Sequence, residues 1–150
     1  MKKIALISFL MVSQVHAGSD FEISSKCGNV DYKILSNCRV NNLKLGQVEV
    51  DNPECNMQSL VINNKKIDLA QFGRMIEREN KNGEKVSMMQ YVFYSAYCIQ
   101  GKKLVLASSG GCNACGEKFE AFNLDGIQSS IPSGSLENGT DILPDRLFIH

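Results

Sequence analysis

The sequence predicts an all-β protein: a single antiparallel-sheet domain, of sandwich, meander or propeller-like kind, stapled by disulfides. Three observations carry this. Short runs alternate apolar and polar residues, the mark of strands with one wet face. Turn signals rich in Asn and Gly separate those runs. The chain of 150 residues also carries an even number of cysteines, six, which reads as three disulfides in an exported domain.

Taken in order, residues 1–17 read as a signal peptide. Lys2 and Lys3 form a positive head, and Ile4 to Val12 is an apolar run too short for a membrane span, which needs about 20 residues. Val15-His16-Ala17 fits a small-residue cleavage site, so the cut is expected before Gly18. No Cys comes directly after the apolar run, which speaks against a lipoprotein. A compact signal of this form points to a bacterial periplasmic or secreted protein. Residues 18–150 then form one domain, long enough to bury a core.

The strands come next. Phe21-Glu22-Ile23 and Tyr32-Lys33-Ile34-Leu35 are short alternating runs. Leu43 to Val50 reads as one alternating strand, ended by Asp51-Asn52-Pro53. Leu60-Val61-Ile62 and Ile67-Asp68-Leu69 flank the hairpin signal Asn63-Asn64-Lys65-Lys66. Residues 68–79 fit two descriptions. Asp68 and Gln71 could make a capping box, with Leu69, Phe72 and Ile76 at helical spacing, but Gly73 weakens a helix. A turn and then a strand, Arg74 to Glu79, is the preferred reading.

Asn80-Lys81-Asn82-Gly83 is a turn. Val86 to Ile99 is the longest and most apolar run, apolar on both faces, and is expected to be a central strand buried on two sides. After Gln100-Gly101 come Leu104 to Ala107, the loop Ser108-Ser109-Gly110-Gly111, the pair Cys112-Asn113-Ala114-Cys115, the run Phe119 to Phe122 and the turn Asn123-Leu124-Asp125-Gly126. Ile127 to Asp141 reads as a surface loop, with Ile142-Leu143 and Leu147-Phe148-Ile149 expected to dock as a last short strand.

Six cysteines allow 15 pairings, and sequence does not choose among them. Loop lengths favour Cys27–Cys38, Cys55–Cys98 and Cys112–Cys115.

Charge and residue types exclude whole classes of function. Lys and Arg together number 16, as do Asp and Glu. Loss of Lys2 and Lys3 with the signal leaves a small acidic excess, which argues against nucleic acid and against membranes after cleavage. There are two histidines. His16 leaves with the signal and His150 is the last residue, so a Ser–His or Cys–His nucleophile lacks a positioned imidazole. No enzyme is expected. Glu117 and Glu120 read as solvated strand charges. Ser108 to Gly111 lacks the Lys and the helix of a phosphate loop. A zinc site would need four ligands at spacings the cysteines do not show. Neither metal nor cofactor is expected. Redox chemistry at Cys112 and Cys115 would need a helix after the pair to lower a thiol pKa. Strand-like residues come there instead, so a structural loop disulfide is the preferred reading. Tyr91, Tyr94 and Tyr97 read as core or sheet-face residues.

What remains is a small exported β domain that works by binding. The signal peptide, the strand ending Tyr97-Cys98, and Leu-Val-Leu-Ala-Ser-Ser-Gly-Gly-Cys with Phe-Asn-Leu-Asp-Gly after it resemble periplasmic immunity proteins of type VI secretion systems. The resemblance is to those that neutralise peptidoglycan amidase effectors, and it covers roughly residues 86–126. It implies a serine-bearing loop that enters the active-site cleft of a secreted peptidoglycan hydrolase. Ser108 and Ser109 are the matching positions, with Gly110, Gly111 and Asn113 beside them in the expected partner-binding set. Two other readings stand beside it: a periplasmic thiol-disulfide protein using the C-x-x-C pair, and a lysozyme-type inhibitor.

Overall fold

The computed structural model describes residues 18–111, 114–131 and 141–142. The signal peptide expected at 1–17 lies outside them. The described chain is overwhelmingly strand, in antiparallel sheets, as the alternation predicts.

The first sheet has the order β1-β2-β3-β4, with β1 Ser19–Cys27, β2 Val30–Leu45, β3 Val48–Ile62 and β4 Lys65–Asp68. Each strand turns tightly into the next. Asn63 and Asn64 both take positive φ, 48° and 62°, the geometry of a two-residue hairpin turn whose twist matches the strands. The hairpin expected there forms, with Lys65 and Lys66 already in β4.

The single strand expected over Leu43 to Val50 is instead two. Gly46 and Gln47 form a turn, and Leu45 pairs with Val48 across it. The apolar positions change phase there, from Leu43 and Leu45 to Val48 and Val50, because a two-residue turn returns the chain beside itself. Asp51-Asn52-Pro53 does not end a strand either, since β3 runs through all three. Pro53 pairs with Val40, in the part of β3 that β4 does not reach. A missing N–H donor is tolerated at such an edge.

After β4 the one-turn helix α1, Ala70–Gly73, leads into β5, Met75–Glu79. Of the turn-then-strand reading of 68–79 the strand forms, beginning at Met75 and not Arg74, and the turn before it is a single turn of helix. Asp68 does not form a capping box, as Leu69 is the N-cap and makes no side-chain capping bond. Its Oδ1 instead accepts the Ala70 N–H at 2.9 Å. Among the described residues β5 pairs with β6, Lys85–Met89, and no other strand. The long strand expected over Val86 to Ile99 is therefore divided. Gln90 N–H donates to Arg74 O and Tyr91 N–H to Gly73 O, both at 2.8 Å. The chain then leaves β5 and pairs with a new neighbour as β7, Val92–Ile99.

The third sheet has the order β10-β9-β8-β7-β11, with β8 Lys103–Ser109, β9 Glu117–Asn123, β10 Gln128–Ser129 and β11 Asp141–Ile142. β7 and β8 are buried along most of their length on both faces, as expected for the apolar run, but the first part of that run, in β6, is largely exposed. Asp141–Ile142 pairs with Cys98 and Tyr97 as a short strand, while Leu143 and Leu147 to Ile149 of the expected last strand lie outside the described residues. The two larger sheets bury one cluster between them, with Tyr32, Ile34, Leu60 and Ile62 from the first and Phe93, Leu104, Leu106 and Phe122 from the third.

The disulfides correct the expected pairing. Cys27 bonds Cys98, and Cys38 bonds Cys55. Sheet register explains both. In the β1–β2 hairpin Cys27 lies opposite Val30 and Cys38 opposite Ser19, so the two are at opposite ends and out of reach. Cys38 instead lies opposite Cys55, with Cα atoms 3.9 Å apart. Cys27 lies beside the β7–β8 turn. A Cβ on Gly28, which has φ +59°, would sit 2.4 Å from Gly101 O. Only glycine permits this approach, which brings Cys27 and Cys98 within bonding distance. Cys115 is also disulfide-bonded, and the expected pairing with Cys112 falls on a residue outside those described. Bonds of this kind belong to an oxidising, exported compartment. Among the described residues no helix is long and apolar enough to cross a membrane.

Candidate partner-binding surface

The residues expected to form a recognition loop are divided by the strand that carries them. β8 continues through Ser108 and Ser109, where they pair with Phe93 and Val92 on one side and with Lys118 and Glu117 on the other. Ser108 is only 1% exposed. It shares the parity of Leu104 and Leu106 and so faces the main core, where its hydroxyl donates to Lys118 O at 3.4 Å. The expectation that Ser108 belongs to an exposed loop is thus corrected. Ser109 is half-buried, and its Oγ accepts the Gly111 N–H at 3.5 Å.

The loop proper starts at Gly110. Gly110 is buried, and a Cβ there would meet the Cys115 Cβ at 2.4 Å and the Tyr91 ring at 3.1 Å. No larger residue fits without displacing one or the other. Gly111 is exposed. Asn113, like Cys112, lies outside the described residues. Ala114 and Gly116 are exposed and Cys115 is half-buried.

Tyr91 props this loop from beneath. It is 8% exposed, and its hydroxyl donates to Cys115 O at 3.1 Å. Lys118 Nζ sits 3.7 Å from the centre of its ring, an attraction between a cation and the negative face of the ring. Tyr94 makes a second strut by donating its hydroxyl to the Glu117 carboxylate. Burial pushes the Tyr94 phenol well above its ordinary range, and the hydrogen bond and charge of Glu117 push it further. The tyrosines read from the sequence as core or sheet-face residues include, in Tyr91 and Tyr94, the supports of this loop.

These parts present the small exposed residues Gly111, Ala114 and Gly116, with the Lys118 cation and the Glu117 carboxylate beside them. Among the described residues no group of three or more His, Cys, Asp or Glu is gathered as a metal site would require. After Cys115 comes Gly116, at φ +63°, and then directly β9. The chain beyond Cys115 thus enters a strand, and no helix N-terminus stands there to lower a thiol pKa.

One neighbour of the loop is not legible from the sequence. A Cβ on Gly111 would lie 3.7 Å from Oδ1 of Asn52 in β3. The phase change at Gly46-Gln47 is the signal that could reveal it, because it turns β2 and β3 into one hairpin that runs past the loop.

No protein-family model matches this chain, and no curated protein or solved structure matches it.

Proposed function

We propose that this protein is a periplasmic antidote. In this reading it is exported by a signal peptide cleaved before Gly18, and it blocks a secreted peptidoglycan amidase by filling the enzyme's substrate cleft, in the manner of a type VI secretion immunity protein. The observation that carries the reading is the connection between β8 and β9, whose described residues Gly110, Gly111 and 114–116 are braced from beneath by Tyr91. Its small residues suit a narrow cleft. The Tyr91 hydroxyl, the Lys118–Tyr91 contact and the disulfide at Cys115 fix its shape before a partner arrives, so little conformational entropy is lost on binding. The contact residues are Ser109, Gly111 and Ala114, which a partner can reach, and not the buried Ser108. Export fits the target, since the cell wall lies outside the cytoplasm.

The test is calorimetric titration of residues 18–150 against a panel of purified secreted Cys–His peptidoglycan amidases, with lysozyme as comparison. Ser109→Arg and Ala114→Arg place a bulky charge at the two ends of the loop. Each should weaken binding to the amidase by at least about 2 kcal/mol, the scale of an interface hot spot. Thermal melts of the variants alone should stay near wild type for the exposed Ala114 position. Binding to lysozyme alone would transfer the antidote to another target. Absence of binding to every enzyme in the panel would overturn the reading.

A further inference from the structure

We infer that the end of the molecule where four turns meet is a docking face for an anionic lipid surface. The two larger sheets close against each other there. The β1–β2 turn at Gly28 touches the β7–β8 turn at Gly101. The β3–β4 hairpin touches the β9–β10 turn, where a Cβ on Gly126 would lie 3.0 Å from the Ile62 side chain and 3.6 Å from that of Lys65. These turns and the strand residues flanking them carry Lys26, Lys65, Lys66, Lys102 and Lys103, against Asp31 and Asp125 alone among acidic residues. Lys26 and Asp31 pair with each other at 3.6 Å. Among the described residues none of the other four lysines makes an ion pair. Lys65 Nζ donates to Asp125 O at 2.8 Å and Lys103 Nζ to Ser130 O at 2.9 Å. Main-chain carbonyls thus hold these two amines in place and leave their charge. Lys66 and Lys102 are exposed.

The small acidic excess of residues 18–150 is an average that hides this end, because the fold sorts charge by place. β8 is seven residues long, which at about 3.4 Å a residue sets Gly110 roughly 20 Å away from the turns. The Debye length at physiological salt is about 8 Å. Carboxylates at the far end, such as Glu117 opposite Ser109, therefore do little to offset the lysines.

Residue type selects the partner. All five cations are lysines, each a point charge on a flexible stem, and none is the rigid fork with which Arg reads a single carboxylate or phosphate. Such amines, placed on both sheets, can settle on a plane of many anionic headgroups without a fixed geometry. Basic clusters of about four to eight residues are of the size that draws a protein to an anionic leaflet. The contact is electrostatic and reversible. The inference does not rest on the antidote reading. It adds to it that the connection between β8 and β9 points away from the lipid.

Sedimentation of residues 18–150 with vesicles tests this, one set of phosphatidylcholine alone and one of phosphatidylcholine and phosphatidylglycerol in equal parts. Binding is expected to the second set only. It should be present at about 0.1 M salt and vanish near about 1 M, where the Debye length falls from about 10 Å to about 3 Å. Lys66→Glu with Lys102→Glu should weaken it at least about tenfold, by reversing two charges of this end. Lys81→Glu with Lys85→Glu changes net charge equally in the separate β5–β6 hairpin, and should leave binding within about threefold of wild type, given screening over that distance. Thermal melts of both double variants should match wild type, as for other exposed positions. No binding to the anionic vesicles at about 0.1 M salt overturns the inference and leaves the antidote reading standing. Equal losses in the two double variants also overturn it, since net charge and not this end would then govern the contact. Polyglutamate serves as a soluble acidic probe: binding to it that needs Lys66 and Lys102, without binding to vesicles, would assign the end to an acidic protein instead.

Discussion

The side chain of Gln58 behaves as a piece of backbone. It is fully buried. Its Nε2 donates to Phe93 O at 2.8 Å and to Ser36 Oγ at 3.0 Å, while its Oε1 accepts the Phe93 N–H at 2.7 Å. Phe93 stands beside the bulge of β7, where pairing with β8 shifts between Phe93 and Ser95. The amide of Gln58 thus supplies from the first sheet the partners that Phe93 needs. Gln58→Leu keeps the side chain close in volume and removes all three bonds, two of them to Phe93. Two buried backbone groups left without partners should cost about 2–4 kcal/mol, read as a lower melting temperature and a lower urea midpoint. A loss under about 0.5 kcal/mol, the scale of a neutral surface change, would show that water or a shifted backbone replaces the amide. Nothing in Met57-Gln58-Ser59 marks this role, because the partner lies 35 residues away in the chain. Ser108 escapes a sequence reading for a related reason. Ser-Ser-Gly-Gly has the composition of a loop, yet the first two residues are held in β8 by strands on both sides. Composition reports what a segment does alone, and neighbours on two sides override it.

Hairpins whose turns are local are legible in the sequence. Asn63-Asn64 and the Asn80 turn carry their own chemistry, and in the latter Asn80 Oδ1 accepts the N–H groups of Asn82 and Glu84, each at 2.9 Å. The β2–β3 hairpin is hidden because Gly46-Gln47 interrupts the alternation by one step, and runs of like composition on both sides mask the interruption. β6 and β7 read as one strand for the opposite reason. No turn residue divides them; the division lies in which strand each one pairs with. The arm beyond Cys38 and Cys55 is the element that most depends on a covalent bond. That bond closes a separation of 17 residues, worth about 3 kcal/mol in the chain-entropy model. Replacing both cysteines by Ala should leave the two larger sheets protected from hydrogen exchange while amides of 39–54 exchange much faster. Uniformly faster exchange across all strands would show instead that the arm and the sheets unfold as one unit.

At the scale of the whole molecule, the all-β class comes from alternation and turn signals, which are properties of neighbouring residues. The order of strands and the cysteine pairing do not, because both depend on contacts between distant segments. Loop length favours Cys27 with Cys38, whereas sheet register holds them at opposite ends of a hairpin. The bond that does form from Cys27 runs to Cys98, between the first strand of one sheet and an inner strand of the other. It closes a separation of 71 residues, worth about 4 kcal/mol in the chain-entropy model. The bond is also buried where the Gly28 and Gly101 turns touch. Its loss therefore releases one sheet from the other, in contrast to the local effect at Cys38 and Cys55. The double replacement Cys27→Ala, Cys98→Ala should lower the urea midpoint more than the double replacement of Cys38 and Cys55, and should raise exchange in both larger sheets together. Measured under identical conditions, a smaller loss for the Cys27–Cys98 pair, or faster exchange confined to β1, would mean that the buried cluster of Tyr32, Leu60, Phe93 and Phe122 holds the sheets together without the bond.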